Sequence, residues 1–323
     1  MAFPLKALAT AATAAVALWC NATGAQTQAQ APTPSPAPAA PAAPSAPSTQ
    51  QPTLDKIKAA GKVVLGVREA SPPMAYALGA NEKFVGYHVE LCERVLKEIT
   101  PQARMEYMAI TAQNTLALVQ NGTVDIGCGP TTNNTARQQQ VSFAVTTYVS
   151  EVRMAVRADS DLNSVSQLGG RTVAASAGTT AVQMLRKQER ALGAPIKTLL
   201  GKDHQESFLL MESGRADAFV LDDNLLAGAI STSKDPAGYR IAGEPMGSEP
   251  IALLFRKDDP AFKAAVDGVL VRLMQTGELE KIYAKWFTSP IPPRNQSLNL
   301  PMSATLRQLI AAPNDKPLEA YLK

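Results

Sequence analysis

From Thr53 onward, short β-branched apolar runs alternate with helical stretches, and this alternation restricts the fold more than any other feature of the chain. A helix from Leu54 to Ala60, stopped by Gly61, precedes Lys62-Val-Val-Leu-Gly-Val67, which reads as a buried strand. Phe84-Val-Gly-Tyr leads into a helix over Val89–Ile99, ended by Pro101. Met105–Ile110 is strand-like, Asn114–Gln120 is a short helix closed by Asn121-Gly122, and Val124–Cys128 is the next strand. Past residue 150 the rhythm begins again. Strands are expected at 152–156, 171–175 and 218–221, with helices at about 180–191 and 207–214. Ile251–Arg256 reads as a strand returning to the first unit, followed by amphipathic helices over 260–276 and 278–287. A βαβ order of this kind implies a mainly parallel sheet. We read an α/β protein of two lobes with two crossovers: 53–149 and 245–290 make lobe 1, 150–244 makes lobe 2, and 291–323 is a C-terminal extension.

Composition removes several functions. Lys plus Arg number 31 and Asp plus Glu 28 in 323 residues, a net charge of +3, with no basic stripe, so nucleic acid is not an expected partner. The two histidines (His88, His204) and three cysteines (Cys20, Cys92, Cys128) fall in no metal-ligand spacing, so no metal site is expected. Neither a nucleophile elbow nor a phosphate loop is present; no catalytic residue is assigned and no cofactor is expected.

The first 52 residues have a different character. Lys6 is the only charge before Asp55; an apolar stretch from Ala7 to Trp19 and small residues up to Ala25 follow it. This is the pattern of a secretory signal peptide, 1–25, too short to span a bilayer. Residues 26–52 form a Pro/Ala-rich linker, with eight prolines and no glycine in 31–52. Such a segment favours extended polyproline II, at roughly 3 Å per residue. A spacer suits a lipid anchor at Cys20, and that form stays open beside simple cleavage; Trp19 speaks against it, because a small residue is usual there. Export places the body in an oxidising compartment, where Cys92 and Cys128 remain as an even pair. A disulfide between them is expected, the alternative being two buried thiols.

Polar residues gather where strands end. Arg68 follows strand 62–67. Thr131-Thr132-Asn133-Asn134 follows strand 124–128, with Arg137 close behind. Ser176-Ala-Gly-Thr-Thr180 opens a helix, His204 sits in Lys202-Asp-His, and Asp222-Asp223 follows strand 218–221. Ligands of open α/β sheets bind beyond strand carboxyl ends. Arg137, the N–H groups of the Gly178-Thr179-Thr180 turn and the hydroxyls of Thr132 and Thr179 suit a carboxylate. Asp222 suits an ammonium group, and Arg68 and His204 suit a second anion. Singly, each has a structural explanation as a cap or surface residue; the inference rests on their common placement.

In their order these motifs resemble the periplasmic glutamate/aspartate-binding proteins, within the amino-acid solute-binding proteins of ABC transporters. The stretches that carry the resemblance include Val67-Arg-Glu-Ala-Ser, Gly129-Pro-Thr-Thr-Asn-Asn, Gly178-Thr-Thr, Lys202-Asp-His, Leu221-Asp-Asp-Asn-Leu-Leu-Ala-Gly and Ser289-Pro-Ile-Pro-Pro. The likeness runs from about Thr53 to the C-terminus. It implies a two-lobed periplasmic-binding-protein fold of type II. It also implies that Arg137, Thr132 and Thr179 or Thr180 hold an α-carboxylate, Asp222 the ammonium, and Arg68 and His204 a side-chain carboxylate. The implied partners are an amino acid and an inner-membrane permease, with a monomer working in the periplasm. Three positions depart from the pattern: Ala112 stands where a serine is usual, Thr115 where an arginine is usual, and Pro130 where a serine is usual. They leave open a different amino or organic acid as ligand. A signalling role, and a dehydratase-type enzyme recruiting Glu69 and His204, also stay open.

Overall fold

The structure is a computed structural model that describes residues 51–79 and 83–321. The expected signal peptide, Cys20 and all of the linker before Gln51 lie outside the described residues. Helix α1 (Thr53–Ala60) leads into β1 (Lys62–Arg68), and a small antiparallel sheet follows from β2 (Ala70–Ser71), β3 (Ala75–Leu78) and β4 (Lys83–Val85). Then come α2 (Tyr87–Ile99), β5 (Arg104–Ile110), α3 (Thr115–Gln120), β6 (Ile126–Thr132), α4 (Thr135–Gln138), β7 (Val141–Phe143) and β8 (Tyr148–Arg157). The second lobe supplies β9 (Thr172–Ser176), α5 (Thr180–Leu192), β10 (Lys197–Gly201), α6 (His204–Glu212), β11 (Ala218–Asp222) and α7 (Asp223–Thr232). The chain returns through β12 (Tyr239–Arg256) and closes with α8 (Pro260–Gln275), α9 (Glu278–Phe287) and α10 (Ala304–Ala311).

The strands join in the order β10-β9-β11-β8-β12-β6-β1-β5, with β7 also on β12. At one end β6, β1 and β5 run parallel; at the other β10, β9 and β11 do. Strands β8 and β12 pair antiparallel between them and carry the chain across and back. Residues 150 and 245 fall inside these two strands.

Packing follows the periodicity. The buried face of α2 presents Leu91, Cys92, Val95 and Leu96 to a core with Leu65, Val67, Phe255, Phe262 and Phe287. Val152, Val173, Leu185 and Val220 build a separate core in the second lobe. Each large apolar side chain removed from water contributes about 1.5–3 kcal/mol. Cys92 of α2 and Cys128 of β6 form the expected disulfide across 36 positions of sequence. Closing a loop of that length stabilises by about 3–4 kcal/mol on the chain-entropy account. The double variant Cys92→Ala/Cys128→Ala is therefore expected to lose about that much in urea unfolding; a loss below 1 kcal/mol would mean the bridge restrains nothing the core does not.

Four local expectations need correction. Thr131 and Thr132 do not follow their strand; they are its last residues, because Ala252 and Ile251 of β12 pair with them. Cys128 consequently lies mid-strand. The helix expected at about 207–214 begins earlier: His204 is the first residue of α6, whose N-cap Asp203 accepts the Glu206 N–H at 2.8 Å. Strand β10, and β12 before Ile251, are strands where the sequence pattern predicts none.

The C-terminal segment after α10 lies against lobe 1. Leu318 N–H donates to Asn133 O, Asn133 Nδ2 donates to Asp315 O, and Glu319 accepts from Thr135. This segment thus braces the turn that follows Thr132.

Candidate functional site

Arg68 ends β1, Thr132 ends β6 and Asp222 ends β11, while Thr180 and His204 each open a helix. Parallel strands align their carboxyl ends, so these residues meet at one level of the sheet. A single cavity between the lobes is lined by Arg68, Thr132, Arg137, Thr179, Thr180, His204 and Asp222, together with Ala112, Pro130, Leu221 and Leu225. All seven residues singled out in the sequence are therefore brought together. In a larger surface hollow near α2 and α9, Glu90 accepts from both Lys285 and Trp286.

The cavity holds buried charge. Arg68 lies across Gly129, where a Cβ would come within 2.8 Å of its Cγ. Its Nε is buried with no hydrogen-bond partner among the described residues. Burial first, then the Arg137 charge, lowers the Arg68 guanidinium to about 9, against the opposing pull of Asp222. His204 is lowered to about 3 by burial and by Arg68, so it is neutral at pH 7; its Nδ1 sits 2.8 Å from the Ser176 hydroxyl. Burial, then the charges of Glu249 and Asp223, hold the Asp222 carboxyl well above the ordinary carboxylate range. Asp222 stands at the N-cap of α7 yet makes no side-chain cap bond. Capping therefore does not account for its burial, and its carboxylate is available to the cavity.

Glu249 has no counterpart in the sequence reading. It is fully buried, and its Oε2 accepts the Thr132 hydroxyl at 2.7 Å and the Thr180 hydroxyl at 2.9 Å. Burial raises its carboxyl, opposed by those two bonds and by Arg137. A threonine hydroxyl carries one proton. The proton of Thr179 is likewise committed, to Ser176 O at 2.7 Å. None of these three hydroxyls is thus a free donor here, contrary to the sequence reading of Thr132 and Thr179. The guanidinium of Arg137 and the first-turn N–H groups of α5 remain as the donors suited to a carboxylate.

The region that aligns over residues 63–289 matches the family model described as bacterial extracellular solute-binding proteins, family 3. The chain belongs to that family. This solute-binding protein is 41% identical over 272 residues to the L-glutamate/L-aspartate-binding protein of Pseudomonas aeruginosa, covering 83% of this chain and 90% of that one. It is 38% identical over 271 residues to the glutamate/aspartate import solute-binding protein of Escherichia coli, covering 82% and 89%. Among solved structures it is similar to the cysteine-binding protein of Campylobacter jejuni (28% identity, TM-score 0.66, 73% of this chain and 92% of that one). It is also similar to an ancestral arginine-binding protein bound to arginine (25%, TM-score 0.65, 70% and 98%). The two-lobed type II fold is common to the group.

The lobes of this solute-binding protein are closed on each other. Arg137 Nη1 donates to Thr132 O at 2.9 Å within its own lobe, and Nη2 donates to Gly178 O of the second lobe at 3.2 Å. Gly178, at φ +80°, lies against Gln113: a Cβ there would come within 2.6 Å of backbone. Gly228 of α7 approaches Pro72 still more closely.

His88, the other histidine, supports the site from behind. It is buried on α2, with Nδ1 2.8 Å from Gly129 O and Nε2 2.8 Å from the Thr147 hydroxyl. Burial lowers it to about 4, against the Gly129 hydrogen bond. The unfolded chain, with His near 6.5, takes up a proton that the folded one refuses, so neutral His88 contributes fully above pH 6.5 and progressively less as pH falls toward 4. The stability advantage of the parent over His88→Gln is expected to shrink by about 1.4 kcal/mol per pH unit across that window. Urea titrations of both proteins at pH 7 and pH 5 measure it; a constant difference would mean that His88 is not held neutral.

Proposed function

We propose that this solute-binding protein captures an acidic amino acid, L-glutamate or L-aspartate, in the periplasm and presents it as a monomer to the permease of an ABC importer. The observation that carries this reading is the convergence of Arg68, Arg137, His204 and Asp222 on one cavity between the lobes. The relatives named above add support. In this reading Arg137 and the first turn of α5 receive the α-carboxylate, and Asp222 receives the ammonium. Arg68, with neutral His204 as a hydrogen-bond donor, receives the side-chain carboxylate. Closure of the lobes about β8 and β12 excludes water and strengthens each charged contact.

One observation favours a shifted ligand. Ala112 and Pro130 line the cavity without a polar side-chain atom, and the Thr115 hydroxyl is turned to Thr111 O. The side-chain carboxylate therefore meets one arginine only, and a charge-assisted hydrogen bond is worth about 1.5–3 kcal/mol. The enzyme alternative is weaker: Glu69, its candidate general acid, is exposed, and a tuned acid gains from a dry site.

A thermal-shift panel of the common amino acids on refolded, ligand-stripped protein tests the reading. A ligand at a thousand times its Kd adds about 4 kcal/mol, or several degrees. Shifts confined to L-glutamate and L-aspartate are expected. A shift with a neutral amino acid alone would transfer the assignment to that ligand, and no shift with any of them would end the amino-acid reading.

A further inference from the structure

Glu249 lies on β12 opposite Ser150 of β8, on the pair of strands that links the lobes. Thr132, at the end of β6, belongs to the first lobe; Thr180, at the start of α5, belongs to the second. One carboxylate oxygen thus draws a donor from each lobe, and the two hydroxyls come within 3.5 Å of each other. The second oxygen, Oε1, is buried without a hydrogen-bond partner among the described residues. A carboxylate kept only for the fold would be expected to have its remaining lone pairs satisfied, since a buried charge is destabilising otherwise. The hydrogen bonds that Glu249 does make are the two that join the lobes.

We infer that Glu249 is the positioning residue that couples assembly of the binding site to lobe closure, clasping Thr132 and Thr180 together. Opening the cleft separates the two threonines, so Oε2 keeps at most one of them. The clasp therefore favours the closed form by the strength of a charge-assisted hydrogen bond in a dry site. It also fixes the direction of both hydroxyl protons before ligand arrives, removing one source of disorder from the cavity. Arg137, held to Gly178 O across the same cleft, is the neighbouring cation that offsets the carboxylate. For its ligand arm only, this inference rests on the amino-acid-binding reading.

The test is a distance measurement without ligand. Spin labels are placed at exposed Lys97 on α2 and Lys187 on α5, and pulsed electron paramagnetic resonance reports the populations of short and long separations. The parent is expected to populate the short, closed distance in the absence of ligand. In Glu249→Ala the ratio of closed to open is expected to fall about tenfold or more, and Thr180→Val should reproduce the fall while leaving the carboxylate in place. Glu249→Gln, which keeps an acceptor oxygen without the charge, is expected to lie between, and it serves if the alanine variant does not fold. Calorimetric Kd for L-glutamate should weaken by the factor by which the closed fraction, read from the same distance distributions, has fallen. A parent with no closed population, variants that retain the parent distances, or a Kd that does not follow the distances would each overturn the clasp. If the parent binds no glutamate, the proposed ligand fails while the ligand-free distances still decide the role of Glu249.

Discussion

Arg68→Met is expected to weaken binding of L-glutamate by about a hundredfold or more, and to leave the ligand-free protein at least as stable as the parent. The two halves of this result come from one fact, the burial of a guanidinium whose Nε has no hydrogen-bond partner among the described residues. Burial lowers the Arg68 guanidinium to about 9, and at about 1.4 kcal/mol per pKa unit this is a destabilisation of several kcal/mol. Methionine fills much of the same volume without a charge, and replacing a buried ion by a packed apolar chain is often neutral or stabilising. The ligand loses what the fold gains. A bidentate arginine–carboxylate contact comprises two charge-assisted hydrogen bonds of about 1.5–3 kcal/mol each. With Ala112 and Thr115 supplying no second cation, nothing else in the cavity compensates fully. Calorimetry gives the affinity and urea unfolding gives the stability. Retention of affinity within threefold would remove Arg68 from the ligand, and a large loss of ligand-free stability would mean that its charge is satisfied in the fold.

How far such a site can be read from sequence depends on what fixes each residue. Arg68 and Asp222 were legible because an apolar β-branched run ends on each, and a strand end in a parallel sheet has a defined place. Thr131 and Thr132 read as loop because Pro-Thr-Thr-Asn-Asn is polar and turn-like. Their strand character comes from Ile251 and Ala252 of β12, over a hundred residues away. The first half of β12 carries Arg240, Gly243, Glu244 and Pro245, a composition that favours turns; residues 239–242 and 247–251 pair with β8, and 243–246 lie in the register shift between them, with Gly243 at φ +75°. Edge strand β10 is partly exposed and shows no clean alternation of burial. Glu249 was the costliest omission. Its signal is one acid just before the apolar run Ile251–Phe255, but an acid at a strand start is ordinary on a surface. Only the fold places it between Thr132 and Thr180. Hydroxyl proton directions follow from that placement, which is why Thr132 and Thr179 were read as free donors.

Gly228→Ala is expected to weaken ligand binding by about ten- to a hundredfold while changing the stability of the ligand-free protein little. Gly228 lies within α7 of the second lobe, and a Cβ built on it would stand 2.0 Å from Pro72 O and 2.6 Å from Pro72 C in the first. Both atoms are backbone, so no rotamer change relieves the overlap; the lobes must separate or the β2–β3 turn must move. Overpacking of this kind destabilises by about 1–3 kcal/mol. The penalty falls on the closed form alone, because in an open cleft the methyl group faces water. Alanine is also the better helix former by about 1 kcal/mol, which supports α7 in both forms. Affinity tracks the population of the closed state, so the closure penalty appears in Kd as the fall in the closed fraction. The same spin-label pair on α2 and α5 should report a longer mean separation in the variant, and saturating ligand should restore the short one only in part. Unchanged affinity with unchanged separation would mean that this approach of α7 to Pro72 is not part of the ligand-bound state. Arg68 and Gly228 thus probe the two components of capture separately: the first removes a contact to the ligand and leaves closure intact, whereas the second leaves every contact in place and opposes the motion that assembles them.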